Sequence, residues 1–337
     1  MTGPAGPGAS GGACPRCGAD VLSGEHFCEE CGLPLAPARC VRCGPAPVDA
    51  DGYCERCGLR QPSGRDHAET EAGGAAGVSD RGLRHARNED SMELATVATA
   101  AGGLVTGVVC DGVSSSPRPE EASAAAVRSG AAVLRAELAA GADPETATRA
   151  AAAAAALAAA ALGSGPDDAP ACTYVSAVVG PAGVTVGWVG DSRAYWIPAA
   201  RPEPPPAAGG TDEPTVPVPA AAPAPGGHAP PLTGAALLTE DDTAAPGVLS
   251  AWLGADAGGA GARVRTFAPR VPGAVVVCSD GLWGYLPLPG SLAPFTAGST
   301  PREAARALVR HALAAGGRDN VTVLVIPFDP PPAEETA

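Results

Sequence analysis

Five short acidic motifs punctuate the last three-quarters of the chain: Asn88-Glu89-Asp90, Cys110-Asp111-Gly112, Gly190-Asp191-Ser192-Arg193, Ser279-Asp280-Gly281 and Arg318-Asp319-Asn320. Carboxylates are hard oxygen ligands. Several brought to one place, with no histidine cluster among them, select Mg2+ or Mn2+ over zinc. Two such ions about 4 Å apart lower the pKa of a shared water and clamp the oxygens of an in-line displacement. The chemistry to expect is direct attack of a metal-activated hydroxide in an in-line displacement. Taken singly, an Asp-Gly pair is also ordinary turn chemistry. The series and its order are what point to a site.

Most of these motifs stand at the ends of apolar, β-branched runs, which read as buried strands: 104–109, 184–189, 274–277 and 321–326. Residues 173–179 and 184–189 flank Pro181-Ala182-Gly183, a hairpin turn, so antiparallel pairing is expected to dominate. Helices are predicted over 121–138, 144–162 and 301–315, the last capped by Ser299 or Thr300 with Pro301 in its first turn. The first two are alanine-rich and read as packing elements. Loops just past such strands open into a common cleft.

At 337 residues and 45% apolar content the chain can form one large domain and a small one. Its basic residues are all arginine, and a formal charge of -14 argues against nucleic acid as a main partner, because phosphates must be neutralised by clustered cations. The first residues lack a basic-then-apolar signal pattern, and the apolar run 150–162 is too short to span a bilayer. A cytoplasmic protein with no membrane partner is the expectation.

Eleven cysteines need an explanation, and their spacing supplies one. Cys14-x2-Cys17 and Cys28-x2-Cys31 recur 26 residues later as Cys40-x2-Cys43 and Cys54-x2-Cys57. The unit is too small to own a hydrophobic core. Four thiolates from two knuckles form a closed structural Zn2+ site, and Gly18, Gly32, Gly44 and Gly58 after each second cysteine allow the tight turn. Two zinc ribbons with two structural Zn2+ are predicted; a disulfide framework is the weaker alternative in a cytosolic chain. Six arginines against seven acids in residues 1–65 give no basic face, so the ribbons are expected to dock a protein, or to act as bare spacers. Cys110 and Cys278, next to the acidic motifs, read as small buried apolar residues rather than nucleophiles.

From residue 76 to about 328 the motifs resemble the metal-dependent protein serine/threonine phosphatase family (PPM, type 2C), bacterial type. The resemblance rests on Ser79-Asp80-Arg81-Gly82 leading to Asn88-Glu89-Asp90-Ser91, on Cys110-Asp111-Gly112-Val113, and on Gly190-Asp191-Ser192-Arg193-Ala194-Tyr195. It continues in Cys278-Ser279-Asp280-Gly281-Leu282-Trp283 and Asp319-Asn320-Val321-Thr322-Val323. It implies an α+β fold, a four-layer αββα sandwich of two antiparallel sheets flanked by helices. It also implies a binuclear Mn2+ or Mg2+ site in which Asp111 bridges both ions and the Gly112 carbonyl joins it. Asp280 and Asp319 would ligate one ion, and Glu89 and Asp90 would act largely through metal-bound water. Asp168 stands near the place of a ligand for a third Mn2+ or Mg2+. The Asp191 segment would be scaffold, with Asp191 and Arg193 forming an ion pair or turn lock.

The resulting division is a disordered tail (1–12), tandem zinc ribbons (13–60), a linker (61–75), the phosphatase domain (76–328) with a disordered Pro/Ala-rich insertion (198–232), and a disordered tail (329–337). Two departures from the family stand out. The arginine that grips substrate phosphate, four residues before the glutamate of the Glu-Asp pair, is replaced by His85, flanked by Arg84 and Arg87. The residues after Asp111-Gly112 are Val113-Ser114-Ser115-Ser116-Pro117, without a histidine to act as general acid. The leading expectation is a phosphoserine/phosphothreonine phosphatase whose ribbons dock a protein such as a Ser/Thr kinase. A pseudophosphatase that binds phosphoproteins or acts as scaffold is the alternative.

Overall fold

The computed structural model describes residues 53–58, 66–100, 102–165, 168–199, 231–232, 234–245, 247–258 and 261–330. The chain divides into two units, Met1–Ser63 and Gly64–Ala337. In the first, the described residues form the last Cys-x2-Cys turn. Cys54 is buried, its carbonyl accepts from the Gly58 amide at 2.8 Å, and Gly58 takes the left-handed φ of +67° that such a turn requires. The other six ribbon cysteines lie outside the described residues, as do the predicted tail at 1–12 and residues 331–337 of the second tail.

The second unit begins with strands β1 (His67–Ala72), β2 (Ala75–Asp80), β3 (Ser91–Thr99) and β4 (Gly102–Cys110), then helices α1 (Pro119–Ala139) and α2 (Pro144–Ala160). Strands β5 (Ala171–Cys172), β6 (Tyr174–Gly180), β7 (Gly183–Val189) and β8 (Arg193–Pro198) follow. Short strands come next: β9 (Pro231–Leu232), β10 (Ala236–Leu237), β11 (Thr243–Ala245), β12 (Val248–Leu249) and β13 (Leu253–Gly254). The chain ends with β14 (Arg263–Pro269), β15 (Gly273–Cys278), α3 (Asp280–Trp283), α4 (Pro289–Thr296), α5 (Pro301–Ala314) and β16 (Val321–Phe328).

Two six-stranded sheets result, in the orders β1-β2-β16-β15-β8-β10 and β3-β4-β6-β7-β14-β9. All pairings are antiparallel except the two-residue β9–β14 contact. Their facing sides interdigitate through Trp188, Trp196, Phe267, Val175, Val275 and Ile326, all fully or almost fully buried. Each such side chain contributes about 2 kcal/mol by leaving water. A second core joins α1 and α2 to one sheet, and a third joins α3 to α5 to the other. The four-layer αββα sandwich expected from the sequence is the observed fold.

Local signals explain the helices. Asp143 caps α2 by accepting from the amides of Glu145 and Thr146, and Thr300, not Ser299, caps α5 in a reciprocal box with Glu303. The alanine content of α1 and α2 permits close approach: a Cβ on Gly130 would meet the Ala155 Cβ at 3.2 Å and the Tyr174 ring at 3.1 Å. The short α3 and α4 lack helical periodicity long enough to be legible.

Two boundaries differ from the sequence expectation. The 61–75 segment is not a linker throughout, because 67–72 forms β1, an edge strand paired along its length with β2. Its sequence, His-Ala-Glu-Thr-Glu-Ala, has no apolar face to announce a strand, since β1 is stabilised by ladder hydrogen bonds and by Arg302 and Arg306 of α5 gripping Glu71 and Glu69. The 198–232 insertion is bounded by strand at both ends, with Pro198 in β8 and residues 231–232 in β9; residues 200–230 lie outside the described residues.

Candidate active site

The two sheets deliver carboxylates to one end of the sandwich. Asp111 follows β4, Asp191 follows β7, Asp280 opens α3 directly after β15, and Asp319 precedes β16. All four line one cleft of about 760 Å3, together with Gly112, residues 113–117, Thr173, Asp256, and Gly247, Val248, Leu249 and Trp252, which belong to the segment between β10 and β14, here called the flap. Among the described residues, no arginine or histidine lines the cleft.

Burial and mutual repulsion dominate the electrostatics. Asp280 is pushed up to about 7, first by desolvation and then by the charges of Asp319, Asp191 and Asp90. Desolvation likewise raises Asp90 and Asp191 to about 6, and raises Asp111 well above the ordinary carboxylate range. Like charges repel, and among the described residues no three His, Cys, Asp or Glu groups stand close enough to hold an ion unaided. Even so, the donor set fits hard divalent cations. It is all oxygen, desolvated and mutually repelling, and the buried Asp90 Oδ1 has no hydrogen-bond partner.

The backbone beneath these groups is tightly determined. Ser279 Oγ donates to Asp90 Oδ2 at 2.8 Å, and the Asp111 amide donates to Thr173 Oγ1 at 3.1 Å. A Cβ on Gly281 would fall 1.9 Å from the Asn320 carbonyl oxygen, so only glycine lets α3 start against the Asp319 loop. Asn320 is the hub. Its Nδ2 donates to the carbonyls of Arg81 and Arg87 at 2.7 and 2.9 Å, and its Oδ1 accepts from the Glu89 amide at 2.8 Å. The β2–β3 loop is thereby tied to the Asp319 loop. Asn320→Ala is expected to lower stability by about 3 kcal/mol by stranding these partners, read as a lowered urea midpoint; an unchanged midpoint would contradict the role.

The other sequence-predicted residues are placed less uniformly. Glu89 is half-buried beside the cleft, with Ser114 Oγ donating to its Oε2 at 2.6 Å. The His85 Nε2 stands 3.1 Å from Asp319 Oδ1 and its Nδ1 4.0 Å from Glu89 Oε2. Arg87 is held by Glu120 at 2.5 Å, and Arg84 is exposed. Asp168 accepts from Arg118 at 2.7 Å and Ser164 at 2.6 Å, so its carboxylate is engaged by a guanidinium rather than turned to the cleft. The expected Asp191–Arg193 pair is not formed. Arg193 instead makes a bidentate bond to Asp241, at 2.9 and 2.7 Å, and stacks 3.9 Å over Trp283, while Trp283 donates to the Asp191 carbonyl. A partner 48 residues away across the flap cannot be read from local sequence. Cys110 and Cys278 are fully buried, and burial pushes both thiols above their ordinary range, as suits inert packing residues.

Sequence reasoning missed the hub role of Asn320, which it placed in a motif without a function of its own, and missed Trp252 and Asp256 as cleft residues, neither of which sits in a pattern of its own. Residues 81–315 match the family model for protein phosphatase 2C, and residues 14–58 match that for the double zinc ribbon. No curated protein matches the sequence. Among solved structures, the catalytic domain of the serine/threonine phosphatase PstP in complex with two manganese ions is similar at 23% identity. That match has a TM-score of 0.54 and covers 76% of this chain and 98% of that one. The PPM Ser-Thr phosphatase MsPP from Mycobacterium smegmatis, in complex with cacodylate, is similar at 22% identity and TM-score 0.52, with the same coverage. Stp1 from Staphylococcus aureus shares 16% identity at TM-score 0.55, covering 76% of this chain and 94% of that one. These structures share the fold, and the family model spans well over half of the sequence. The chain belongs to the protein phosphatase 2C family of metal-dependent serine/threonine phosphatases.

Proposed function

We propose that the chain hydrolyses phosphoserine and phosphothreonine in proteins, with Asp111, the Gly112 carbonyl, Asp280 and Asp319 holding two Mn2+ or Mg2+ ions. Glu89 and Asp90 complete the site through water. The observation that carries this reading is a cleft lined, among the described residues, by five aspartates and no basic residue. Such a cleft repels a phosphate dianion unless cations are bound. Two such ions held by these residues would supply an activated water and neutralisation of the phosphoryl oxygens. The chain's own part is positioning. The Asn320 hub fixes the entry of Glu89, Ser279 fixes Asp90, and the Arg193–Asp241 pair anchors the base of the flap beside Asp191. A third ion at Asp168 would have to displace Arg118. The amino-terminal ribbons hold two structural Zn2+ and dock a protein partner, for which a Ser/Thr kinase is the candidate. No helix among the described residues is long and apolar enough to cross a membrane; a cytoplasmic location is part of the proposal.

The test is phosphate release from a phosphothreonine peptide by the full chain with Mn2+ and after chelation. Metal-dependent release supports the reading, and no release at any metal level sinks it. One observation favours a second reading, a phosphoprotein binder without turnover: His85 stands where the family carries its phosphate-gripping arginine. His85→Arg is expected to raise kcat/KM on phosphopeptides about tenfold, because a bidentate charge-assisted pair replaces a single donor. An unchanged or lower value would mean that this position does not hold phosphate.

A further inference from the structure

The flap side of the cleft carries a pair of side chains that the hydrolytic reaction does not use. Trp252 is half-buried and lines the cleft. Its Nε1 donates to Asp256 Oδ1 at 2.9 Å, and the exposed Asp256 lines the same cleft. The other three tryptophans are committed elsewhere. Trp188 and Trp196 are fully buried between the sheets, and Trp283 lies under Arg193. The turn presenting the pair is tightly packed: a Cβ on Gly254 would meet the Pro170 carbonyl oxygen at 3.0 Å and Asp256 Oδ1 at 3.1 Å. Leu253, between them, is buried and pairs with Cys172 of β5.

An indole beside a carboxylate that it orients is a receptor for a planar cation. A guanidinium stacks on the ring and donates to the carboxylate in one pose, whereas an ammonium does either less well. The same protein pairs a guanidinium with an indole and a carboxylate elsewhere, where Arg193 stacks on Trp283 and grips Asp241, although Trp283 there donates to the Asp191 carbonyl rather than to that carboxylate. Charge points the same way, since among the cleft-lining residues no basic group competes for Asp256.

We infer that Trp252 and Asp256 select phosphoprotein substrates carrying an arginine close in sequence to the phosphorylated residue. This rests on the phosphatase reading for the word substrate, but the recognition itself is a binding property. The geometry gives the class of neighbour, a guanidinium, and assigns Asp256 and Trp252 as specificity residues rather than catalytic ones.

The experiment uses the full chain with Mn2+ and three peptides that differ only in having Arg, Ala or Glu flanking a non-hydrolysable phosphonate analogue of phosphothreonine. Affinities are read by calorimetry. The Arg peptide is expected to bind about tenfold more tightly than the Ala peptide, and the Glu peptide more weakly still. Asp256→Asn should remove most of that difference, and Asp256→Arg should reverse the order of Arg and Glu. Equal affinity for all three peptides, or a preference that survives both Asp256 variants, would overturn the inference. Turnover of the corresponding phosphothreonine peptides, divided by that of p-nitrophenyl phosphate, is measured in parallel. A protein that binds the Arg peptide selectively but releases no phosphate supports this inference and refutes the phosphatase reading. One that releases phosphate without selectivity does the opposite.

Discussion

Replacing Asp280 by Asn is expected to cut metal-dependent phosphate release on the order of a thousandfold while making the metal-free protein more stable. The two effects have one cause. Asp280 is held up at about 7 by burial and by the charges of Asp319, Asp191 and Asp90. In the proposed site such a carboxylate would serve a cation, and losing one such charge from a preorganised site costs roughly 10²- to 10³-fold or more in rate. In the absence of metal the same charge only repels its neighbours. Asp280→Asn should therefore raise metal-free stability at pH 8 by on the order of 2 kcal/mol, less than the isolated pKa shift would give because the cluster titrates together. Asp111→Asn should behave alike, since Asp111 feels the charges of Asp90, Asp319 and Asp191 as Asp280 does, and that of Asp280 as well. The check pairs a phosphate-release assay with denaturant unfolding of the metal-free variants. A variant that loses activity and also loses metal-free stability would show these carboxylates to be structural, and the cation account would fall.

What the sequence made legible follows from which interactions are local. Apolar β-branched runs announce strands because each buries both faces, and β16 and β15 were readable for that reason. Asp111, Asp280 and Asp319 were readable because each sits at the end of such a run, where a turn residue would also sit; only their order separated the two readings. β1 was illegible because an edge strand of alternating His, Glu and Ala has no apolar signature. The partner of Arg193 was illegible for a different reason. Asp191 is two residues away but lies in the turn between β7 and β8, and the bidentate partner of Arg193, Asp241, comes from 48 positions further along the chain. Asn320 lies in the Arg318-Asp319-Asn320 motif, yet its three long-range bonds, to residues more than 230 positions away, belong to topology rather than to pattern.

Metal binding is expected to stabilise the phosphatase domain strongly at pH 8 and hardly at all at pH 5. Asp90 and Asp191 at about 6 and Asp280 at about 7 lie above the value of about 3.9 for aspartate in an unfolded chain. Between about pH 4 and pH 7 the folded protein therefore binds more protons than the unfolded one, and metal-free stability falls as pH rises through that window. Below it the carboxyls are protonated in both states and the repulsion is absent. A divalent cation removes the repulsion at high pH, whereas at pH 5 it must displace protons. At a hundredfold excess over its dissociation constant an ion that binds only the folded state contributes about 2.7 kcal/mol. For a domain of this size that is roughly 5 to 10 °C in Tm. Calorimetric melts of one preparation at pH 5, 6.5 and 8, with Mn2+ added rather than chelator so that the cysteine ribbons keep their zinc, read the dependence directly. A Mn2+ shift of equal size at pH 5 and pH 8 would mean that the ion binds through groups other than these buried aspartates.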